Sequence, residues 1–202
     1  VKAESDICCT SGNAARVVNS LNTDTIIFLP DEYLASNVAV ETGKKIIFPD
    51  IIFSGKRNSD VETKSSSDVT VNGMPKGIIG WRGRCEVHEQ FTVEDIANVR
   101  DQFPDTVILA HPECSPEVIA KVDFAASTSK MISYVKNSTS KRFLILTECS
   151  MSDNIAAENP DKEMLGLCSV RCPHMNEITL EDTLNALRNN EQVIDLDPAL
   201  MD

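Results

Sequence analysis

An α/β fold of repeated three-layer α/β/α domains with short parallel sheets is predicted by three observations: short apolar runs, helix-period stretches between them, and capping signals at their junctions. The apolar runs lie at 25–29, 45–48, 78–81, 106–110, 123–126, 143–147 and 192–196. Each is short and apolar on successive positions, the mark of a strand covered on both faces. Between them, 14–21, 92–103, 115–121, 129–138, 151–159 and 179–189 carry apolar residues at helical spacing. Thr92-Val93-Glu94-Asp95 and Thr179-Leu180-Glu181-Asp182 have the capping-box pattern, in which a Thr hydroxyl and an acid three residues on satisfy each other's backbone N–H groups.

One stretch breaks this alternation. Residues 54–76 are rich in Ser, Asn, Asp, Lys and Gly with little apolar periodicity, and read as an exposed insertion with a hairpin around Val69-Thr70-Val71-Asn72-Gly73. The boundary between two α/β units is expected near 81–84. The tail from Cys168 onward is expected to pack on a surface outside this chain.

The chain has 202 residues, 42% of them hydrophobic, enough for a substantial core. It opens on Val1 with no initiator Met, which suggests a processed or truncated product. No apolar run is long enough to span a membrane, and no secretion signal is visible. The net charge of -12 is spread along the chain without a basic block, so nucleic acid is not an expected partner. An anionic substrate would need locally placed donors to overcome that field. Seven cysteines form an odd set without disulfide-framework spacing, which fits a reducing, cytoplasmic setting.

In parallel sheets the ligand crevice lies outside the carboxyl ends of the strands. There Ala110-His111-Pro112-Glu113-Cys114 follows the run at 106–110. His111 and Glu113, separated by one Pro in an extended turn, can enter the same crevice as oxyanion donor and general base. The plainer alternative is a hydrogen-bonded His beside a solvent-facing Glu. Ser127-Thr128-Ser129 and Thr10-Ser11-Gly12-Asn13 each open a helix, where hydroxyls and free N–H groups suit a carboxylate or phosphate, or simply cap the helix.

Two thiols are set apart by their neighbours: Cys85 in Gly83-Arg84-Cys85-Glu86-Val87-His88-Glu89 and Cys172 in Cys172-Pro173-His174-Met175. Cys-Pro is familiar at iron–sulfur ligands, where the ring turns the chain away. Cys168 and Cys172 form a CxxxC without the partner pair a zinc site needs. A cysteine hydrolase using Cys114 or Cys149 beside His111 lacks an orienting third group.

Read together, these segments resemble the iron–sulfur quinolinate synthase family. The matching stretches are 1–14, Phe28-Leu29-Pro30-Asp31, 81–91, 110–116, Ser127-Thr128-Ser129, Thr147-Glu148-Cys149-Ser150-Met151, Glu158-Asn159-Pro160 and Cys172-Pro173-His174-Met175. They keep the family's order and cover nearly the whole chain except the insertion.

The resemblance implies three similar α/β domains around a pseudo-threefold axis. In that scheme 1–84 is the second domain, 85–167 the third, and 168–202 a segment returning to a first domain outside this chain. It implies a [4Fe-4S] cluster held by one cysteine per domain, with Cys85 and Cys172 two of the three and one iron left free. It also implies a transferase of NAD biosynthesis that condenses iminoaspartate with dihydroxyacetone phosphate to quinolinate, losing phosphate and two waters. L-Aspartate oxidase or aspartate dehydrogenase would supply the iminoaspartate. By carry-over, His111, Pro112 and Glu113 contact substrate, with Glu113 moving protons. Thr128 with Ser127 binds a carboxylate or phosphate, and His88 lines the pocket. Where many members have two serines after Thr10, this chain has Ser11-Gly12, so that subsite falls jointly to Ser11 and Gly12. The alternative is a fragment that binds a dicarboxylate or metal without turnover.

Overall fold

The computed structural model describes residues 1–52, 62–64, 76–166, 170–192, 197 and 199. Most of the expected strand at 192–196, the expected turn at 69–73 and Cys168 lie outside the described residues.

Two parallel sheets carry the chain. In the first, β1 (Thr25–Phe28), β5 (Gly77–Gly80) and β2 (Ile46–Ile47) lie in the order β1-β5-β2, with Phe28 opposite Gly80. Helices α1 (Ala14–Ser20) and α2 (Glu32–Thr42) close over it: Ala14, Val18, Leu34, Ala35, Val38 and Ala39 bury Ile26, Phe28 and Ile78. Its central strand is buried where it meets these helices. Burial on both faces, expected of the run at 25–29, does not hold throughout, because Ile27 is 63% exposed. Just before the expected insertion, β3 (Asp50–Ile52) pairs antiparallel with β4 (Glu62–Lys64), which lies within it.

The second sheet runs β7 (Phe124–Ala125), β6 (Val107–Ala110), β8 (Arg142–Leu146) and β9 (Glu163–Leu165), all parallel. It is covered on both sides, as continuous apolar strands require. Ile108, Ala110, Leu144 and Leu146 face α3 (Val93–Gln102) and α4 (Pro116–Ile119) through Ile96 and Val118. Leu109, Phe143 and Ile145 pack on α5 (Thr128–Asn137) and α6 (Cys149–Glu158) through Met131, Val135 and Ile155. This is the three-layer arrangement expected from the strand and helix periods.

Both expected capping boxes form. Thr92 and Asp95 cap α3, and Thr179 and Asp182 cap α7 (Leu180–Asn189). Sequence reasoning missed α2 and β9. Helix α2 lacks a capping box, and its buried face of Leu34, Ala35, Val38 and Ala39 is obscured in the sequence by Val40, which is 81% exposed. Its start is set by Asp31, whose Oδ1 accepts from Leu34 N–H at 2.6 Å, and its end by Gly43 in the left-handed region at φ 67°.

The end of β5 is held to the start of α2 by a bridge between Asp31 and Gly83, in which Glu32 N–H donates to Gly83 C=O at 2.7 Å. A Cβ at Gly83 would stand 2.4 Å from the Pro30 carbonyl oxygen, so no side chain fits without moving backbone. Gly83→Ala is therefore expected to cost about 1–3 kcal/mol of stability. A lowered urea midpoint at unchanged slope is the measurement that checks it.

Candidate active site at the carboxyl ends of the strands

Helix α2 braces two segments that are distant in sequence. At its start, Asp31 Oδ2 accepts the Cys85 N–H at 3.0 Å while Oδ1 caps the helix. Six residues on, Asn37 Nδ2 donates to the carbonyls of Pro112 at 2.8 Å and Cys114 at 3.1 Å, on either side of Glu113. Burial pushes the Asp31 carboxyl up from its ordinary value, against the pull of the Leu34 and Cys85 N–H groups; the Glu113 charge raises it further.

His88 and His111 meet in this brace with their rings stacked, centroids 4.3 Å apart and planes 15° from parallel. Both are buried, at 7% exposure. Glu113 Oε2 lies 3.1 Å from His88 Nδ1 and 3.6 Å from His111 Nδ1. The two rings nevertheless carry opposite protonation. His111 Nδ1 accepts from the Glu113 backbone N–H at 3.3 Å, which places its proton on Nε2, to be donated to Ser11 Oγ at 3.0 Å. Burial and the neighbouring His88 charge bring its pKa down to about 4. His88 Nε2 donates to Thr147 Oγ1 at 2.9 Å. Burial alone would lower His88, but Cys85 and Glu113 outweigh it and raise its pKa to about 9. Burial opposes ionisation of Glu113 too, and is overcome by the two histidines, which hold its carboxyl below the ordinary value.

His88 Nδ1 approaches Glu113 closely but out of line, and it is a buried nitrogen without an aligned hydrogen-bond partner among the described residues. Its attraction to Glu113 is one of charge rather than of a well-directed hydrogen bond. Cys85 Sγ, a His88 ring nitrogen and a Glu113 oxygen lie within 4.8 Å of one another.

The polar hydroxyls gather on the other side of His111. A Cβ at Gly12 would meet Ser127 Oγ at 3.0 Å, so Gly12 seats the loop of Ser11 directly against Ser127. Ser127 stands at the N-cap of α5 without a side-chain capping bond, and Thr128 is the helix's first residue. A cavity of about 340 Å³ is lined by Ser11, Asp31, Gly83, Arg84, Cys85 and Glu113, with Cys9, Thr10 and an apolar wall from Phe28, Leu29, Pro30 and Leu34. A larger hollow of about 560 Å³, at Phe124, Lys130 and Tyr134, is lined without any acid–base pair. The chemistry therefore belongs to the smaller one.

Cys85 and Cys172 share a local turn and a common support. Cys85 C=O accepts from Glu89 N–H at 3.0 Å and Cys172 C=O from Asn176 N–H at 3.2 Å, each leading into a 3-10 turn, His88–Gln90 and Met175–Glu177. Both thiols are half-buried against the core of Val87, Phe91, Leu146 and Val170. The two turns touch where His174 Nε2 lies 3.1 Å from Glu86 Oε1. Burial pushes the Cys85 thiol up, but His88 more than offsets it and the net shift is downward, toward thiolate. Two half-buried thiols on one core, one of them shifted toward thiolate by a neighbouring histidine, fit an iron–sulfur ligand set.

Cys114 does not join it. Its Sγ donates to Leu146 C=O at 3.6 Å, and burial pushes its pKa up to about 12, which removes it as a nucleophile. Cys149 is also buried, as the first residue of α6. The site thus gathers Ser11, Gly12, Cys85, His88, His111, Pro112, Glu113, Ser127 and Thr128 from the residues expected of it. It adds Asp31, Asn37 and Thr147, of which Asp31 and Thr147 stood in segments singled out beforehand and Asn37 did not.

The opposed shifts of the two histidines set a pH optimum for stability. His88, raised from 6.5 to about 9, contributes stability that is full below 6.5 and lost as pH rises through about 9. His111, lowered from 6.5 to about 4, resists a proton that the unfolded chain accepts, so stability falls as pH drops from 6.5 toward 4. Urea midpoints of the cluster-free protein are expected to peak near pH 6.5. His88→Gln should flatten the alkaline limb and His111→Gln the acid limb.

Comparison with known proteins gives the same direction. The family model for Quinolinate synthetase A protein matches residues 1–202. Quinolinate synthase 2 of Mesorhizobium japonicum is 44% identical over 200 residues, covering 99% of this chain and 52% of that protein. The quinolinate synthase of Agrobacterium fabrum is 44% identical over 200 residues, covering 99% and 48%. That of Xylella fastidiosa is 43% identical over 202 residues, covering 100% and 50%. The chain spans about half the length of the curated relatives it matches. With its whole length matched and its gathered site built from the segments that carry the likeness, this chain belongs to the quinolinate synthetase A family.

Proposed function

We propose that this chain forms the second and third domains of a quinolinate synthase, a cytoplasmic transferase of NAD biosynthesis that condenses iminoaspartate with dihydroxyacetone phosphate. The observation that supports it best is the Glu113 carboxylate set between two histidines of opposite protonation, beside Cys85. Condensation and dehydration need a base and an acid at one carbon framework, and this cluster holds both beside the cavity that Glu113 lines.

In this reading His88, charged at neutral pH, keeps Glu113 ionised as the base. Neutral His111 turns its Nε2–H from Ser11 toward a substrate oxyanion. Ser11 Oγ, the Gly12 N–H, and the hydroxyls of Ser127 and Thr128 bind a carboxylate or phosphate at the start of α5. Pro112 holds His111 and Glu113 on one side of the turn, under the brace of Asn37. Cys85 and Cys172 would hold a [4Fe-4S] cluster, with a third thiolate from outside this chain. When bound, that cluster supplies a Lewis-acidic iron for a substrate oxygen or nitrogen and eases loss of hydroxide.

The architecture belongs to the same proposal. Residues 1–84 and 85–167 are two of three domains about a pseudo-threefold axis, and 168–202 returns to the first. The exposure of Leu180 at 91% and Leu187 at 78% on α7 supports a tail that packs on something beyond the described residues. No helix among the described residues is long and apolar enough to cross a membrane. L-Aspartate oxidase or aspartate dehydrogenase would supply the iminoaspartate. This chain alone, with half a relative's length, would be inactive and bind a dicarboxylate or metal without turnover.

In the full-length protein, reconstituted anaerobically with iron and sulfide, Glu113→Gln is expected to abolish quinolinate formation and leave the visible spectrum of the cluster intact. Undiminished product would remove Glu113 from the mechanism. Cys172→Ser is expected to lose the cluster; a full cluster in that variant would overturn its role as ligand.

A further inference from the structure

The contacts around His88 leave one coordination direction open. Its Nε2–H is taken by Thr147 Oγ1 at 2.9 Å, which fixes the ring and makes Nδ1 the free nitrogen. That Nδ1 is buried, lacks an aligned partner among the described residues, and stands 3.1 Å from Glu113 Oε2. Cys85 Sγ, a His88 ring nitrogen and a Glu113 carboxylate oxygen lie within 4.8 Å of one another. The neighbouring polar groups are committed elsewhere. Asp31 accepts from Cys85 N–H and Leu34 N–H, and His111 Nδ1 accepts from Glu113 N–H.

We propose that the cluster-free protein binds one zinc ion between Cys85 Sγ, His88 Nδ1 and a Glu113 carboxylate oxygen, with a fourth position open to water. The donor set is one sulfur, one nitrogen and one oxygen, the mixture that tetrahedral Zn²⁺ accepts with one site left for solvent. Charge supports a divalent ion: one thiolate and one carboxylate bring two negative charges, and the imidazole is neutral once Nδ1 has lost its proton. Binding releases the Nδ1 proton, and the thiol proton where Cys85 still carries it. The brace from α2 fixes the segments of Cys85 and Glu113 beforehand, so little ordering is left for the metal to impose.

This site differs from the cluster ligand set in two of its three residues. Cys85 serves both, so zinc and cluster exclude each other at this cavity. The inference does not depend on quinolinate formation, because its readout is zinc itself.

The test uses full-length protein, stripped of metal by chelation and kept reduced. Calorimetric titration with Zn²⁺ is expected to give one ion per chain at micromolar affinity or tighter. Co²⁺ in its place should show tetrahedral visible bands and a thiolate-to-cobalt charge-transfer band. Cys85→Ser, His88→Gln and Glu113→Gln should each weaken zinc by roughly tenfold or more, while Cys172→Ser binds it unchanged. Circular dichroism of each variant separates lost ligation from lost folding, and the near-isosteric Glu113→Gln serves if His88→Gln unfolds. Loss of zinc in Cys172→Ser would overturn the proposal, because the ion would then sit on the cluster cysteines. Full affinity in both His88→Gln and Glu113→Gln would overturn it as well.

Discussion

The geometry of the site rests on helix α2. The carboxylate that caps it holds the backbone of Cys85, and an amide six residues later holds the carbonyls flanking Glu113. An α-helix rises about 1.5 Å per residue with little freedom to stretch, so two of its residues set the spacing of whatever they grip. The thiol and the carboxylate come from segments that follow different sheets, β5 and β6. Without a rigid element gripping both, their separation would depend on two loops. The Asp31 side chain is the more demanding of the two grips, because it is buried and must spend both oxygens on N–H donors to remain ionised.

That brace also explains how two stacked histidines come to differ. Each ring is equally buried, so desolvation alone would leave both neutral. The difference arises from what each Nδ1 meets. His111 Nδ1 faces a backbone N–H, which demands a lone pair. His88 Nδ1 faces the Glu113 oxygen and the Cys85 thiol, which favour a proton. One turn of chain, His111-Pro112-Glu113, thus supplies the donor that keeps one ring neutral and the carboxylate that charges the other. A pair of titratable groups pushed apart by their surroundings is the usual basis for dividing acid and base roles at one pH.

Much of this was legible in the sequence, and the parts that were not share a cause. The strands at 106–110 and 143–147 and the helices after Thr92 and Thr179 declared themselves by period and by capping boxes, because each signal is local and self-contained. Helix α2 did not, because its cap is a lone Asp31 and the exposed Val40 blurs the face formed by its buried Leu34, Ala35, Val38 and Ala39. β9 is three residues at a sheet edge, too short for alternation to register. The site divides in the same way. Cys85, Glu113 and the histidines sat in segments whose residue types are chemically expensive to place without purpose. Asn37 carried no such mark, since an Asn in mid-helix has no local signature; its role exists only through carbonyls at Pro112 and Cys114, far along the chain.

Gly12 shows how a departure from a pattern can be read once its surroundings are known. A second Ser in its place would add a hydroxyl to the subsite. It would also add a Cβ 3.0 Å from Ser127 Oγ and 3.2 Å from Ser127 Cβ, tighter than side chains ordinarily approach. The loop carrying Ser11 would have to retreat from α5 by a few tenths of an ångström, and the Ser11 to His111 hydrogen bond at 3.0 Å lies on that same loop. With glycine the loop closes fully, leaving Ser11 Oγ on His111 Nε2 and the Ser127 hydroxyl without a capping bond. The chain therefore exchanges one possible donor for closer approach of two others, and the subsite keeps its polarity through Ser11 and Ser127.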